Sequence, residues 1–396
     1  MPTSINTHGA ALRQGVEGVL TSNWLDGRQR HIFAVWAGFA GCESRPIGRP
    51  EVIMRYSTSL LALCVAITSL ATVSQAAAQG PAADAGRWVV PRTAEGHPDL
   101  QGNWTNVTVT PFQRAEDKGP VLTWDEVAVL EGRAAARVER GARASDPDRA
   151  APAVTGNTGG YNNVYIDRGK IVAIVDGQPR SSLLTTPPDG RIPAMSPMGE
   201  KRMEEYRAFR AQFGRYDNPE TRPLGERCMM SFGSSAGPPM IPNNFYNNNY
   251  TIVQTADYVM IQTEMVHDTR IIRLGEPDRL PEHMRPWMGD SWGHWEGDVL
   301  VVETTNINPM QTFSRFPPSK DRKVTERFSR VDEETILYEF TIEDPAYSEL
   351  WGGQIPFKAF DDLLYEYSCH EGNYALDNIL RGARYQERQG NQPEQR

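Results

Sequence analysis

Basic residues, cysteine, histidine and long apolar runs are all in short supply, and each shortage removes a class of function. The 396 residues carry 41 Lys and Arg against 50 Asp and Glu, a formal net charge of −9. That balance argues against nucleic acid and against an anionic membrane surface, since both attract basic patches. It favours neutral or cationic small partners, or simple solubility. No apolar stretch after Val73 approaches the ~20 residues a membrane-spanning helix needs. Histidine pairs with ligand spacing are missing: there is no His-x-His, no His-Glu-x-x-His and no Cys-x-x-Cys. A metal site is therefore not expected. Gly289 and Gly293 are followed by no Gly-Lys-Ser/Thr and make no phosphate loop. Repeats of fixed period are missing too, which argues against a propeller.

What is present begins with an export signal placed inside the chain. Met54-Arg55-Tyr56 is a short basic start, Leu60 to Val73 an apolar core, and Ala76-Ala77-Ala78 a small-residue cleavage site. Such a signal works only at an N-terminus. Residues 1–53 are accordingly expected to be an over-extended reading of the gene, 54–78 the signal, and 79–396 one exported, β-rich domain with a helical portion at about 120–215. The expected location is periplasmic or secreted, with no stable membrane insertion after cleavage. Residues 1–78 hold six Arg and four acids, which leaves the mature part 35 basic and 46 acidic side chains, net −11. Of the four Cys, Cys42 lies in the leader and Cys64 in the signal core, so Cys228 and Cys369 remain. An even pair in an exported chain reads as a disulfide. It would close a loop of about 140 residues, worth roughly 4–5 kcal/mol by loss of chain entropy.

The hydrophobic pattern then gives the elements. Thr105–Thr110 alternates and reads as a strand. Thr123-Trp124-Asp125-Glu126 is a capping box that opens a helix to about Arg140. Ser196-Pro197 opens a second, stopping at Phe213-Gly214. From Tyr250 the period changes to two. Thr251–Gln254 and Tyr258–Val266 form one hairpin; Val324–Val331 and Ile336–Glu343 form another. Trp295-Glu296-Gly297-Asp298 is a tight turn before Val299–Thr305, and Tyr365–Cys369 is a further strand. Ile336, Tyr338, Phe340 and Ile342 share one face. Tyr374 to Arg384 reads as a short closing helix. The expected fold is mainly β: an antiparallel β-barrel or sandwich with two or three peripheral helices.

Several stretches together carry a resemblance: Arg92 to Trp104, Leu183 to Pro193, Tyr246 to Tyr250, Glu264 to Ile272, Met288 to Asn306 (MGDSWGHWEGDVLVVETTN) and Tyr367 to Tyr374. They resemble an uncharacterised family of exported bacterial proteins across most of the mature chain, most specifically at Met288–Asn306. The resemblance implies no reaction. Gly102-Asn103-Trp104 also resembles the Gly-x-Trp opening of lipocalin-like barrels, which implies a calycin-like barrel.

Candidate chemistry rests on imidazoles beside carboxylates. The mature part holds five His: His97, His267, His283, His294 and His370. His267 precedes Asp268, His294 lies between Asp290 and Glu296, and His370 precedes Glu371. A carboxylate fixes an imidazole's tautomer and raises its basicity, the usual arrangement for general acid–base work. His267, Asp268, Asp290, His294 and Glu296 are the catalytic candidates, paired across strands because neighbours on one strand face opposite ways. Arg270, Tyr246, Asn248, Tyr250, Trp292, His370 and Glu371 are the ligand-binding candidates. The Asn residues around Tyr246 suit a sugar-like or aromatic ligand as well as they suit turns. Three functions stand open: an acid–base enzyme (lyase, isomerase or hydrolase) needing no cofactor, a small-molecule-binding protein, and an envelope interaction protein.

Overall fold

Alternating side chains become strands only where neighbouring backbone takes up their hydrogen bonds, and here the pairing runs in a ring. The structure, a computed structural model, describes residues 88–144, 148, 166–231, 237–242, 248–311 and 316–390. The expected leader 1–53, the expected signal 54–78 and Tyr246 lie outside the described residues. The elements in chain order are β1 (Gly102–Thr105), α1 (Trp124–Ala142), β2 (Ile174–Val175), β3 (Gln178–Pro179), β4 (Leu184–Thr186) and α2 (Pro197–Arg210). There follow β5 (Asn249–Gln254), β6 (Tyr258–Thr263), β7 (Thr269–Leu274), β8 (Asp290–Glu296), β9 (Val299–Thr305), β10 (Lys323–Asp332), β11 (Thr335–Glu343), β12 (Trp351–Ala359) and α3 (Tyr374–Arg388). The strands pair in the order β1-β5-β6-β7-β8-β9-β10-β11-β12, and β12 returns to β1 through Trp104↔Ala359 and Thr105↔Lys358. The result is a closed barrel of nine strands, with β4 attached beside β12.

A ring of nine strands cannot alternate direction all the way round, so one pair must run parallel. That pair is β7 and β8, joined at Arg273↔Trp292 and Leu274↔Gly293. The connection 275–289 supplies the long crossover a parallel pair needs. This corrects the expectation of a purely antiparallel sheet and settles barrel over sandwich.

Side chains from successive strands fill the barrel. Ile336, Tyr338, Phe340 and Ile342 all point inward, as their alternation predicts, and are essentially fully buried. Burying each contributes roughly 1.5–3 kcal/mol. Phe357 packs on Tyr250 and on Tyr338, with ring centroids 5.2 Å apart in both cases, and Phe328 lies 5.1 Å from Tyr338. Large rings therefore occupy the space that would be an open cup.

Several boundaries differ from expectation for local reasons. The first strand is Gly102–Thr105, not Thr105–Thr110. β6 ends at Thr263, because Val266 and His267 take positive φ (60° and 48°) and turn the chain. β8 was not expected, whereas the expected turn at Trp295-Glu296-Gly297-Asp298 is present and joins β8 to β9. β12 went unexpected because it contains Gly352, Gly353 and Pro356. A Cβ at Gly352 would lie 2.0 Å from the Phe340 carbonyl oxygen, and one at Gly353 2.3 Å from that of Leu183. Glycine is what lets the backbones of β11 and β4 approach. Residues 361–369, expected to include a strand, are irregular.

The helices match their signals closely. The Glu126 amide donates to Thr123 Oγ1 at 3.3 Å, and the Thr123 amide donates to Glu126 Oε2 at 2.9 Å. Ser196 caps α2 through the Gly199 amide at 3.2 Å. α2 is fixed to the barrel by the Ser196 amide on the Ala346 carbonyl (2.9 Å) and by Arg202 on Ser319 Oγ (2.9 Å). From its end, residues 211–231 run back along the barrel to Cys228, which is bonded to Cys369 with Cα atoms 5.8 Å apart.

Candidate functional site

The charged groups of the interior pair with one another. Arg270 of β7 donates to Glu326 of β10 twice, at 2.7 and 2.9 Å, and both side chains are buried. Tyr338 donates its hydroxyl to Glu326 at 2.8 Å and accepts the Met240 amide at 2.9 Å. Asn106 Nδ2 donates to the Tyr250 hydroxyl at 3.0 Å. Burial pushes the Tyr250 and Tyr338 hydroxyls well above their ordinary range. Arg270 and Tyr250, expected as ligand contacts, are thus enclosed in the barrel. Asn248 is buried as well.

The expected catalytic residues fall in three places. The first is the turn between β6 and β7, beside the disulfide. His267 Nδ1 donates to the Tyr367 carbonyl at 3.1 Å, and its ring centroid is 6.3 Å from that of His370. Asp268 accepts the Ser231 amide at 3.1 Å. Burial pushes its carboxyl up to about 6, against the opposing pull of the Ser231 amide and of His267. His370 and Glu371, which follow Cys369, are exposed.

The second place is the start of β8. Asp290 is buried; one of its oxygens pairs with Arg273 and the other accepts the Leu280 amide at 2.8 Å. It ties the crossover 275–289 to the sheet. Trp292 lies under the Arg273 guanidinium, 4.4 Å from carbon to ring centroid. The third place is the far end of β8. His294 sits exposed, 3.3 Å from Glu296, and Glu296 is held by Arg327 at 2.9 Å.

The structure does not gather His267, Asp290 and His294 around one concavity. The parallel register is the reason: His294 falls beyond the end of β7, whereas His267 precedes its start. At ~3.3 Å per residue they are more than about 20 Å apart. Among the described residues, no group of three or more His, Cys, Asp or Glu side chains is arranged to hold a metal ion.

The large concavity lies elsewhere, outside the barrel. A cleft of about 1050 Å³ runs between the C-terminal half of α2, the segment 215–231 and the barrel-side residues Trp287 and Met310. Its wall carries Arg207, Arg210, Arg215, Arg222 and Arg227 against one carboxylate, Glu220. Arg222 is held by Glu226 at 2.8 and 3.0 Å, and Arg210 donates to the Thr221 carbonyl at 2.6 Å. Phe209 and Phe213 meet edge to face in this wall, with centroids 5.4 Å apart. Ser231, whose amide holds Asp268, also lines the cleft. The expected turn-side pair thus adjoins the cleft, while the cleft itself escaped the sequence reading. One signal was available. Residues 207–227 carry five Arg and three acids in a chain of net charge −9, a local reversal of sign.

Comparison of the chain with protein-family models, curated proteins and solved structures finds no match. The barrel and its cleft therefore speak for themselves. No described helix is long and apolar enough to cross a membrane.

Proposed function

We propose that this protein binds a small organic molecule in the cleft between α2 and the barrel, not inside the barrel. One observation carries the reading: the interior holds buried aromatic side chains and a buried Arg270–Glu326–Tyr338 network, while about 1050 Å³ stands open beside it. A concavity of that size, combining aromatic side chains with convergent polar groups, suits a small-molecule site. Export belongs to the same proposal. The Cys228–Cys369 bond supports an oxidising compartment.

Acid–base chemistry is a second reading, favoured by Asp268. Its carboxyl, raised to about 6, lies one hydrogen bond from the cleft residue Ser231, with His267 next to it in the chain. A group of that kind gives and takes protons near neutral pH.

Filling the cleft tests the binding reading. Ala211 is an exposed residue of its wall. Ala211→Trp should abolish binding of a naphthalene-based fluorescent reporter while leaving the melting temperature within a few degrees. Undiminished reporter binding would count against the cleft.

A further inference from the structure

We infer that the cleft selects an aromatic organic anion, with an aryl carboxylate as the simplest member of the class. This rests on the reading of the cleft as a ligand site and adds the chemistry of the occupant.

Charge is the first ground. Among five arginines in the wall, two are committed to the fold: Arg222 to Glu226 and Arg210 to the Thr221 carbonyl. Arg207, Arg215 and Arg227 make no side-chain hydrogen bond or ion pair among the described residues. Three free guanidinium groups around one concavity repel each other, and an anion between them removes that repulsion. A guanidinium fork matches a carboxylate bidentately, so arginine rather than lysine suits such a group. The overall charge of −9 makes this cationic surface a local exception, and it reverses the expectation of a neutral or cationic partner.

The apolar side of the wall is the second ground, independent of the first. Phe209 and Phe213 remain 49% and 40% exposed although they pack against each other. Trp287 adds an indole from the barrel side. An inorganic anion would use the arginines and leave these rings in water. A neutral aromatic compound would use the rings and leave the arginines unpaired. A flat ring bearing a carboxylate uses both, with ring edges or faces at the phenylalanines and oxygens at the guanidinium groups.

The class is tested by calorimetric titration with three probes: 2-naphthoate, the neutral 2-naphthalenemethanol, and inorganic phosphate. The expected order is naphthoate tightest, the alcohol about tenfold weaker or worse, and phosphate weaker still. Arg207→Gln with Arg227→Gln should weaken naphthoate by about tenfold and leave the alcohol unchanged, and Arg→Lys at both positions should recover part of the loss. Raising the salt concentration should weaken naphthoate alone. Arg381→Gln, on the exposed face of α3, is the control for a change of net charge. Melting curves report whether each variant folds.

If the alcohol binds as tightly as naphthoate and Ala211→Trp blocks both, the cleft is a ligand site and the anion class is wrong. If phosphate binds as tightly as naphthoate, the aromatic requirement is wrong. If no probe binds at millimolar concentration, or if Ala211→Trp leaves binding intact, both the class and the cleft reading fall.

Discussion

Asp268 is the residue whose environment departs furthest from its sequence context. Its place beside His267 marks it as an acid–base candidate but says nothing of burial, which raises its carboxyl to about 6. The folded protein therefore holds this proton more tightly than the unfolded chain does. The contribution to stability is complete below about pH 4 and is lost as pH rises through 6. Asp268→Asn keeps an acceptor for the Ser231 amide and cannot ionise. Urea unfolding should find the variant more stable than the parent at pH 8, by up to about 3 kcal/mol, with the gap closing at pH 4. A gap that is the same at both pH values would refute the assignment. Arg270 and Glu326 make the opposite case, a pair that the sequence could not connect because 56 positions separate them. Arg270→Met leaves Glu326 buried without its partner and should cost about 3–5 kcal/mol. Adding Glu326→Leu should return much of that loss. Simple additivity of the two single costs in unfolding experiments would show that the pair does not act as a unit.

At the scale of elements, legibility follows how local the deciding interaction is. The capping box at Thr123 and the Ser196-Pro197 start are satisfied within four residues, so α1 and α2 begin where the sequence says. The hairpin around Asp332 to Thr335 is set by its own turn and alternation. β12 was hidden because distant backbone defines it, and β8 because its polar, glycine-containing sequence masks a local hairpin with β9. Gly293, Gly352 and Gly353 read as strand breakers until the approaching strands are known. The same holds for the His267 turn, where a sequence rich in strand formers bends through two positive-φ residues. The disulfide followed from counting the two cysteines beyond the expected signal, and it joins Cys228 to Cys369 across a sequence separation of 141. Replacing both by alanine should lower stability by about 4–5 kcal/mol in the chain-entropy account. The segment carrying Gly225, Arg227 and Ser231 should also lose hydrogen-exchange protection before the barrel strands do. Uniform loss across the barrel would show that the bond secures the whole fold and not this wall of the cleft.

For the whole molecule, barrel closure decides where a ligand can go. The alternating patterns predict a barrel or a sandwich, and a barrel invites the expectation of a central cup lined by Tyr250, Arg270 and their neighbours. Nothing in the pattern tells how full the interior is. That depends on Phe328, Tyr338, Trp351 and Phe357 converging from three strands, a matter of volume and not of periodicity. The cleft was equally hidden, since its walls come from α2, from the return segment and from residues as distant in sequence as Trp287 and Met310. Two methionines separate the possible locations. Met310 lines the cleft, and Met240 is fully buried against the Tyr338 hydroxyl at the barrel core. Methyl NMR of methionine-labelled protein titrated with 2-naphthoate is the most direct test of a ligand site outside the barrel. The Met310 methyl resonance should shift saturably while that of Met240 stays in place; a shift confined to Met240 would put the ligand inside the barrel and contradict the proposal.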